Sequence, residues 1–247
     1  MRGRFIAIVA GETRNMLREP ELSFLLLAPF LIGLLLRLGL SPLVGLVKEG
    51  LAYDLRVHIP FILGFLMLVP PLLVGMVVGF RLIDDRDGGI LDYIAVTPLD
   101  SGGYIILRLI LPSLLSIPLT AMLPYFLTGY EIELPSPHLI LGIAAINALG
   151  APILVLILTA FAENKIAAMA LAKVAGILFL APLAGYLISH PALYLLGIIP
   201  PFWGPLAFVR AAAGEAVGGY IAAGFLSAAL WLALLSFLYS RRRRRAT

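Results

Sequence analysis

Aspartates crowd one short stretch of the chain. Residues 81–108 read RLIDDRDGGILDYIAVTPLDSGGYIILR, and Asp84, Asp85, Asp87 and Asp92 lie close together within them. Carboxylate oxygens are the ligands that Mg²⁺ prefers, and a bound Mg²⁺ can hold a diphosphate. The spacing therefore allows two kinds of chemistry: metal-assisted group transfer, or recognition of a charged partner by an exposed acidic surface.

The group-transfer interpretation fits the spacing poorly. Membrane-embedded prenyltransferases need a second aspartate-rich loop, and the other loop on the same side of the chain offers only Glu163. CDP-alcohol phosphotransferases need an Ala-Arg pair after Asp-Gly, which this stretch lacks. An Mg-dependent prenyl- or phosphotransferase that uses Asp84, Asp85, Asp87 and Asp92 is therefore the alternative, and we expect no catalytic or metal-binding residues in this chain.

The other interpretation, recognition of a charged partner, places a short amphipathic helix in the same stretch. Gly88 and Gly89 start it and Thr97-Pro98 end it. The chain has no GxxxxGK[ST] phosphate loop, so it cannot bind ATP by that device. A solvated loop that only connects two helices is the simpler alternative. Seven residues are the candidate contacts with a partner: Asp84, Asp85, Arg86, Asp87, Gly88, Gly89 and Asp92.

Composition shows what must position this stretch. Of 247 residues, 61% are hydrophobic and 13% are charged, whereas a soluble domain has about 45–50% apolar and about 25% charged residues. Such a chain needs lipid as its solvent, and in lipid only helices satisfy their own backbone. We predict an all-α membrane protein, a single domain over 1–247, with prolines that kink several helices. Its six spans are predicted at 22–40, 57–80, 104–129, 139–161, 166–188 and 219–239.

Basic residues fix the predicted orientation. If both termini are cytoplasmic, fourteen Lys and Arg residues lie inside and four, Arg37, Lys48, Arg56 and Arg210, lie outside. The positive-inside rule selects this arrangement, which makes 81–103 a cytoplasmic loop. The tail Arg241–Arg245 is then an anchor on anionic lipid rather than a nucleic-acid site.

Two further segments differ from simple connections. Residues 1–21 mix apolar and basic residues in a pattern typical of a helix lying in the membrane interface. Residues 189–218 are apolar but broken by Pro200, Pro201, Gly204 and Pro205, which predicts a re-entrant segment on the outer side rather than another span.

The spans offer few groups for ion-coupled transport. Within them, the charged residues lie near the ends, whereas a secondary transporter usually needs an ionisable residue near the midplane. That class remains a second alternative. His58, His138 and His190 lack the spacing of metal ligands. Six residues are candidates for a substrate path, although packing is the more frequent role for each: Phe61, Phe65, Thr120, Tyr125, Asn147 and Thr159.

Four motifs in order resemble type-2 ABC exporter permeases, over about residues 12–239. The stretch 81–108 resembles their coupling helix, and ETRNMLREPELSFLLLAPFLIGLLL, with Arg14 and Arg18, resembles their interfacial connector helix. FAENKIAAMALAKVAGILFLAPLAGYLI and GIIPPFWGPLAF are similar to segments around the fifth span and before the last. In the first motif the matching residues are Asp85, Asp87, Gly89, Thr97, Pro98, Tyr104 and Arg108.

The resemblance implies a function and partners. Such permeases work as homo- or heterodimers in a prokaryotic cell membrane, each copy bound to a cytoplasmic ATPase chain that carries ATP and Mg²⁺. Movement of the coupling helices switches the permease from inward- to outward-facing. Substrates include drugs and lipids, and half permeases of this length are often drug exporters, including fluoroquinolone-type ones. The family usually has Glu-x-x-Gly where this chain has the aspartate cluster.

Overall fold

The computed structural model describes residues 20–51, 53–90, 100–126, 133–188 and 190–246. Every regular element among them is helical. The α-helices are α1 (Pro20–Leu51), α2 (Ile59–Leu66), α3 (Val69–Asp87), α4 (Asp100–Phe126), α5 (Pro137–Ala148), α6 (Gly150–Phe161), α7 (Lys165–Leu178), α8 (Ala181–Leu187), α9 (Trp203–Ala212) and α10 (Gly218–Ala246). Short 3-10 helices cover Leu55–His58, Pro191–Ile198 and Pro200–Phe202.

Within the described ranges, six helical segments are long and apolar enough to cross a bilayer. Span one lies in α1, span three in α4 and span six in α10, while α2 with α3, α5 with α6 and α7 with α8 form spans two, four and five. The prediction of an all-helical chain with six spans is confirmed. Several boundaries differ. Helix α1 continues from residue 40 to Leu51 through Pro42, and the helices of spans two and six extend to Asp87 and Ala246 rather than ending at 80 and 239.

Prolines divide three of the spans into two helices each. Helix α3 begins just before Pro70-Pro71, α6 begins before Pro152 and α8 before Pro182. Proline has no N–H and its ring crowds the carbonyl four residues earlier, so the α-helical ladder is interrupted there. At each break a backbone N–H bonds instead to the carbonyl three residues earlier, over 3.0 Å at Leu68, 3.3 Å at Leu149 and 3.0 Å at Leu180.

Other prolines leave their helix unbroken. Pro112, Pro118 and Pro124 all lie inside α4, which runs without interruption from Asp100 to Phe126. The prolines were expected to kink several helices. In span three they do not interrupt the helix. A single missing hydrogen bond can be tolerated where neighbouring helices and side-chain hydroxyls support the backbone.

Spans two and four form the centre of the bundle. A Cβ atom added at Gly75 of α3 would lie 2.8 Å from the carbonyl oxygen of Ala151 in α6, and one at Gly79 would meet Leu158. Such close approach of backbones is how helices associate in lipid, where there is little hydrophobic drive between them. Spans one and six expose most of their apolar surface, which suits contact with lipid.

The segment 190–217 leaves and returns to the same end of the bundle. Its longest helix, α9, has ten residues and is too short to cross a bilayer. Ala207 and Phe208 of α9 are fully buried, and a Cβ at Gly64 of α2 would lie 2.9 Å from Pro205. The segment thus packs into the bundle against span two. Its assignment to the outer side of the membrane stays a prediction.

The close crossing predicts unequal effects of the same substitution at two helical glycines. Gly75→Ala should lower the free energy of unfolding by about 1–3 kcal/mol, because its Cβ meets backbone atoms that cannot move aside. Gly176→Ala is the matched control, since nothing lies within 4 Å of its added Cβ. Unfolding of both variants can be followed by circular dichroism in mixed micelles titrated with dodecyl sulfate. Equal stabilities would contradict the crossing.

Candidate coupling surface at the basic end of the bundle

The predicted contact residues lie where span two ends. Asp84, Asp85, Arg86 and Asp87 form the last turn of α3, and Gly88 follows as its cap, with its N–H bonded to the carbonyl of Asp84 at 2.8 Å. Gly89 has φ +70°, a conformation that glycine adopts without strain. We call this end of the bundle the basic end, because Arg86, Arg108, Lys165 and Arg242 meet there, as the contacts below show.

Asp85 joins span two to span three. Its carboxylate accepts from the guanidinium of Arg108 at 3.4 Å, and the side chains are 16% and 9% exposed. An ion pair this far removed from water is costly to break from one side, since the remaining charge keeps its desolvation penalty. Asp85 therefore positions α4 against α3 rather than facing outward.

Arg86 joins span two to the turn after span four. Its guanidinium donates to the carbonyls of Ala162 at 3.1 Å and Glu163 at 2.8 Å, and its Nε lies 3.2 Å from Asp87. Both carbonyls lie in the turn just after α6, which ends at Phe161. A planar guanidinium can donate to two oxygens at once, so Arg86 fixes this turn on the end of α3.

Two more contacts complete the connection. Lys165 at the start of α7 binds Asp84 at 2.7 Å, and Asn164 caps α7 by accepting from the N–H of Ala167. From span six, Arg242 donates to the carbonyl of Ala160 at 2.5 Å. Five of the six spans thus meet around the last turn of α3 and the turn 162–164.

The exposed acids differ from the buried one. Asp87 and Asp84 are 41% and 47% exposed, so they present negative charge at the surface even while paired. Among the seven candidates, Asp92 lies outside the described residues, as do Arg14, Arg18 and the rest of 1–19. Their roles stay predictions. The sequence pattern located the acidic turn but did not pair Arg108, Lys165 and Arg242 with it.

The three described aspartates have separate basic partners rather than a common centre. Asp84 faces Lys165, Asp85 faces Arg108 and Asp87 faces Arg86. The residues that the structure describes contain no group of three or more His, Cys, Asp or Glu side chains placed to hold a metal ion. The carboxylates of Asp84 and Asp85 link α3 to α7 and α4, whereas Asp87 pairs with its neighbour Arg86 within α3.

The candidates for a substrate path occupy different environments. Phe61 is buried and stacks on Tyr186 with ring centres 4.0 Å apart, and Phe65 is half-buried beside it. Tyr125 is 45% exposed. Thr159 donates to the carbonyl of Val155 at 2.8 Å, as an ordinary helical threonine does.

Two buried polar groups stand out among those candidates. Within the described part of the chain, Thr120 Oγ1 and Asn147 Nδ2 have no hydrogen-bond partner. The amide of Asn147 lies against Gly204 of α9, so tightly that a Cβ there would overlap it. A buried amide nitrogen without a partner is uncommon, and the role of Asn147 in a substrate path stays a prediction.

The ion pairs predict different costs for the same substitution at adjacent residues. Asp85→Asn should lower the free energy of unfolding by about 3–5 kcal/mol, because it removes one charge of an ion pair that is largely shielded from water. Asp84→Asn should cost less than about 1 kcal/mol, because its pair with Lys165 is half exposed. Thermal unfolding of both variants in one detergent makes the comparison. A larger loss for Asp84→Asn would show that the assignment of the two pairs is wrong.

Comparison with known proteins agrees with the architecture. Residues 12–236 match the family described as fluoroquinolones export permease protein Rv2686c-like. Two curated relatives from Mycobacterium tuberculosis match, the fluoroquinolones export permease proteins MT2760 (strain CDC 1551 / Oshkosh) and Rv2686c (strain H37Rv). Each is 28% identical over 207 residues, which is 80% of this chain and 79% of the relative. No solved structure matches the chain. The chain belongs to the Rv2686c-like fluoroquinolones export permease family.

Proposed function

We propose that this chain is the membrane subunit of an ATP-driven exporter of the ABC type, which moves an amphipathic, drug-like substrate out of the cytoplasm. Two copies, identical or different, would pair with two cytoplasmic ATPase chains that hold ATP and Mg²⁺. The single observation that carries the proposal is the acidic turn at the end of span two, because it has exposed charge and is linked to the other spans. Membership of an export permease family supports it.

The links let a push on this turn reach several helices. Displacement of the Asp87–Gly89 turn would pull on span three through Asp85 and Arg108, and on the end of span four through Arg86. Helices joined by short charge-assisted contacts move together more readily than helices joined only by apolar packing. The turn would therefore act as one lever, with Asp87 and Asp84 as the acids that meet a basic surface on the ATPase.

The same end carries most of the positive charge. The tail Arg241–Arg245 and the cluster around Arg86 favour a cytoplasmic position for the basic end and both termini. A cytoplasmic ATPase is then within reach of the turn. The exposed apolar faces of spans one and six would be covered by lipid, by the second permease copy, or by both.

The substrate class is proposed from the relatives. They are named for fluoroquinolones, which are flat amphipathic drugs. The bundle is lined mostly by apolar and aromatic side chains, which suits such a molecule better than a small ion. We therefore expect this chain to take part in export of a fluoroquinolone-like compound from a prokaryotic cell.

Isolation of the complex tests the partnership. The tagged chain, extracted from its native membrane in mild detergent, should co-purify with a chain that contains a GxxxxGK[ST] phosphate loop. A parallel purification of an unrelated six-span protein from the same membrane is the control. Repeated recovery of this chain alone, in stable form, would contradict the exporter proposal and favour a free-standing carrier or enzyme.

Charge reversal tests the coupling surface. Asp87→Lys should lower drug-stimulated ATP hydrolysis and transport in the reconstituted complex by about tenfold or more, as expected for loss of a coupling contact. It should leave expression and unfolding unchanged, because Asp87 is exposed. Glu133→Lys reverses an exposed acid at the opposite end and serves as the matched control. Wild-type transport by a well-folded Asp87→Lys complex would show that Asp87 does not couple the subunits.

A further inference from the structure

A cavity of about 470 Å³ opens at the end of the bundle opposite the basic end. It lies between α8, the 3-10 helix Pro191–Ile198, α9 and the start of span six. This volume falls in the range that holds drug-sized ligands. Its wall combines four aromatic rings with an acid, an arginine and a histidine: Tyr186, Tyr194, Phe202, Tyr220, Glu215, Arg210 and His190.

The aromatic wall is held in place by contacts outside the cavity. Tyr186 stacks almost parallel on Phe61, at 4.0 Å and 11°, and its hydroxyl lies 2.6 Å from Nδ1 of His58. The hydroxyls of Tyr194 and Tyr220 are 3.2 Å apart. Because these rings are fixed before any ligand arrives, binding would cost little ordering of side chains.

The charged pair sits on a tight turn at the mouth of the cavity. Arg210 at the end of α9 binds Glu215 at 2.8 Å, and the turn between them passes through Gly214 with φ +75°. The hydrogen bond that Arg210 donates to Glu215, together with the nearby Tyr220, raises the pKa of Arg210, so the guanidinium stays charged. Both side chains are about half exposed, and such pairs exchange partners readily.

We propose that this cavity binds a planar aromatic zwitterion. The carboxylate of the ligand would bind Arg210, its protonated amine would bind Glu215, and its ring would lie against Tyr186, Tyr194 and Tyr220. The two charges of such a ligand lie at opposite ends of its ring system, so the half-exposed pair would open to meet both of them, and tyrosine faces bind flat rings and cations. The inference rests on the proposed function, in which this end faces outward and the cavity is a station for the substrate on its way out.

A zwitterionic lipid headgroup has the same two charges but no flat ring. The four aromatic rings on the wall favour a ring-bearing ligand. Competition by phosphocholine, which has the two charges but no ring, therefore distinguishes an aromatic ligand from a lipid headgroup.

Binding can be measured without any ATPase. The full-length chain in lipid nanodiscs is titrated into norfloxacin, a planar aromatic zwitterion, and the fluorescence anisotropy of the drug is followed. Tyr194→Leu should raise the dissociation constant by about tenfold, the change expected when an aromatic contact with a bound ring is lost. Phe225→Leu, on the exposed face of span six, is the matched control and should change it less than twofold.

A second ligand distinguishes the contribution of Arg210 to binding from that of Glu215. Nalidixate has the ring and the carboxylate but no amine. Arg210→Gln should weaken both ligands by about tenfold. Glu215→Gln should weaken the binding of norfloxacin. It should leave the binding of nalidixate unchanged or make it tighter, because the substitution releases Arg210 from its partner. Arg56→Gln, an exposed arginine at the same end that does not line the cavity, is the control. A merely structural role of the pair would weaken both ligands alike in both variants.

The outcomes distinguish this inference from the proposed function. Opposite effects of Glu215→Gln on the two ligands would support the cavity, even if no ATPase partner is found. Equal dissociation constants for wild type and all cavity variants, or competition by phosphocholine as strong as by norfloxacin itself, would overturn it. If cavity variants transport as wild type while Asp87→Lys does not, the exporter proposal would stand and the cavity would not be its substrate site.

Discussion

A bilayer offers the backbone no hydrogen-bond partner, and the structure depends on this constraint throughout. Every described span is helical, and where proline interrupts three of them, the released N–H groups bond to carbonyls three residues earlier. In spans two and four the residues at the break, among them Met67, Leu68 and Ala148, are buried, so protein rather than lipid surrounds the weakened backbone. Gly75 and Gly79 bring span two against span four.

Because the bilayer interior disfavours charge, the charged side chains lie at the two ends of the bundle. The two ends differ in the contacts that these side chains make. At the basic end, arginine and lysine side chains bind acids and helix carbonyls from neighbouring spans, which makes the end of span two a rigid junction. At the opposite end, rings and a half-exposed ion pair surround a cavity. In the proposed exporter, the junction would transmit movement from the ATPase at one end, and the cavity would receive the substrate at the other.

Composition and hydropathy were sufficient to predict the six spans, because a helix of about 20 apolar residues in lipid has few alternatives. The break positions followed from Pro70, Pro152 and Pro182. The length of span one did not, since Pro42 lies inside a helix that continues to Leu51. The unbroken α4 likewise could not be predicted from its three prolines, because a proline inside a membrane helix need not end it.

The candidate site was only partly predictable for a similar reason. The acids of residues 84–87 are adjacent in sequence, and their clustering was visible. Their partners are distant in sequence. Arg108 lies 23 residues from Asp85 and Lys165 lies 81 residues from Asp84, so the pairing depends on how the spans pack. Residues of span five, α9 and span six form the cavity wall, and no short stretch of the sequence indicates that they come together.

The orientation of the chain in the membrane is the most direct test. Both the proposed coupling turn and the proposed cavity site require that the two ends of the bundle face opposite compartments. The chain has no cysteine, so single cysteines can be introduced without removing any. Ile90→Cys marks the basic end and Ala216→Cys the opposite end, and both positions are exposed. With a membrane-impermeant maleimide, residue 216 should react in intact cells and residue 90 only in inside-out vesicles. Labelling of residue 90 from outside intact cells would contradict the assignment of the basic end to a cytoplasmic ATPase.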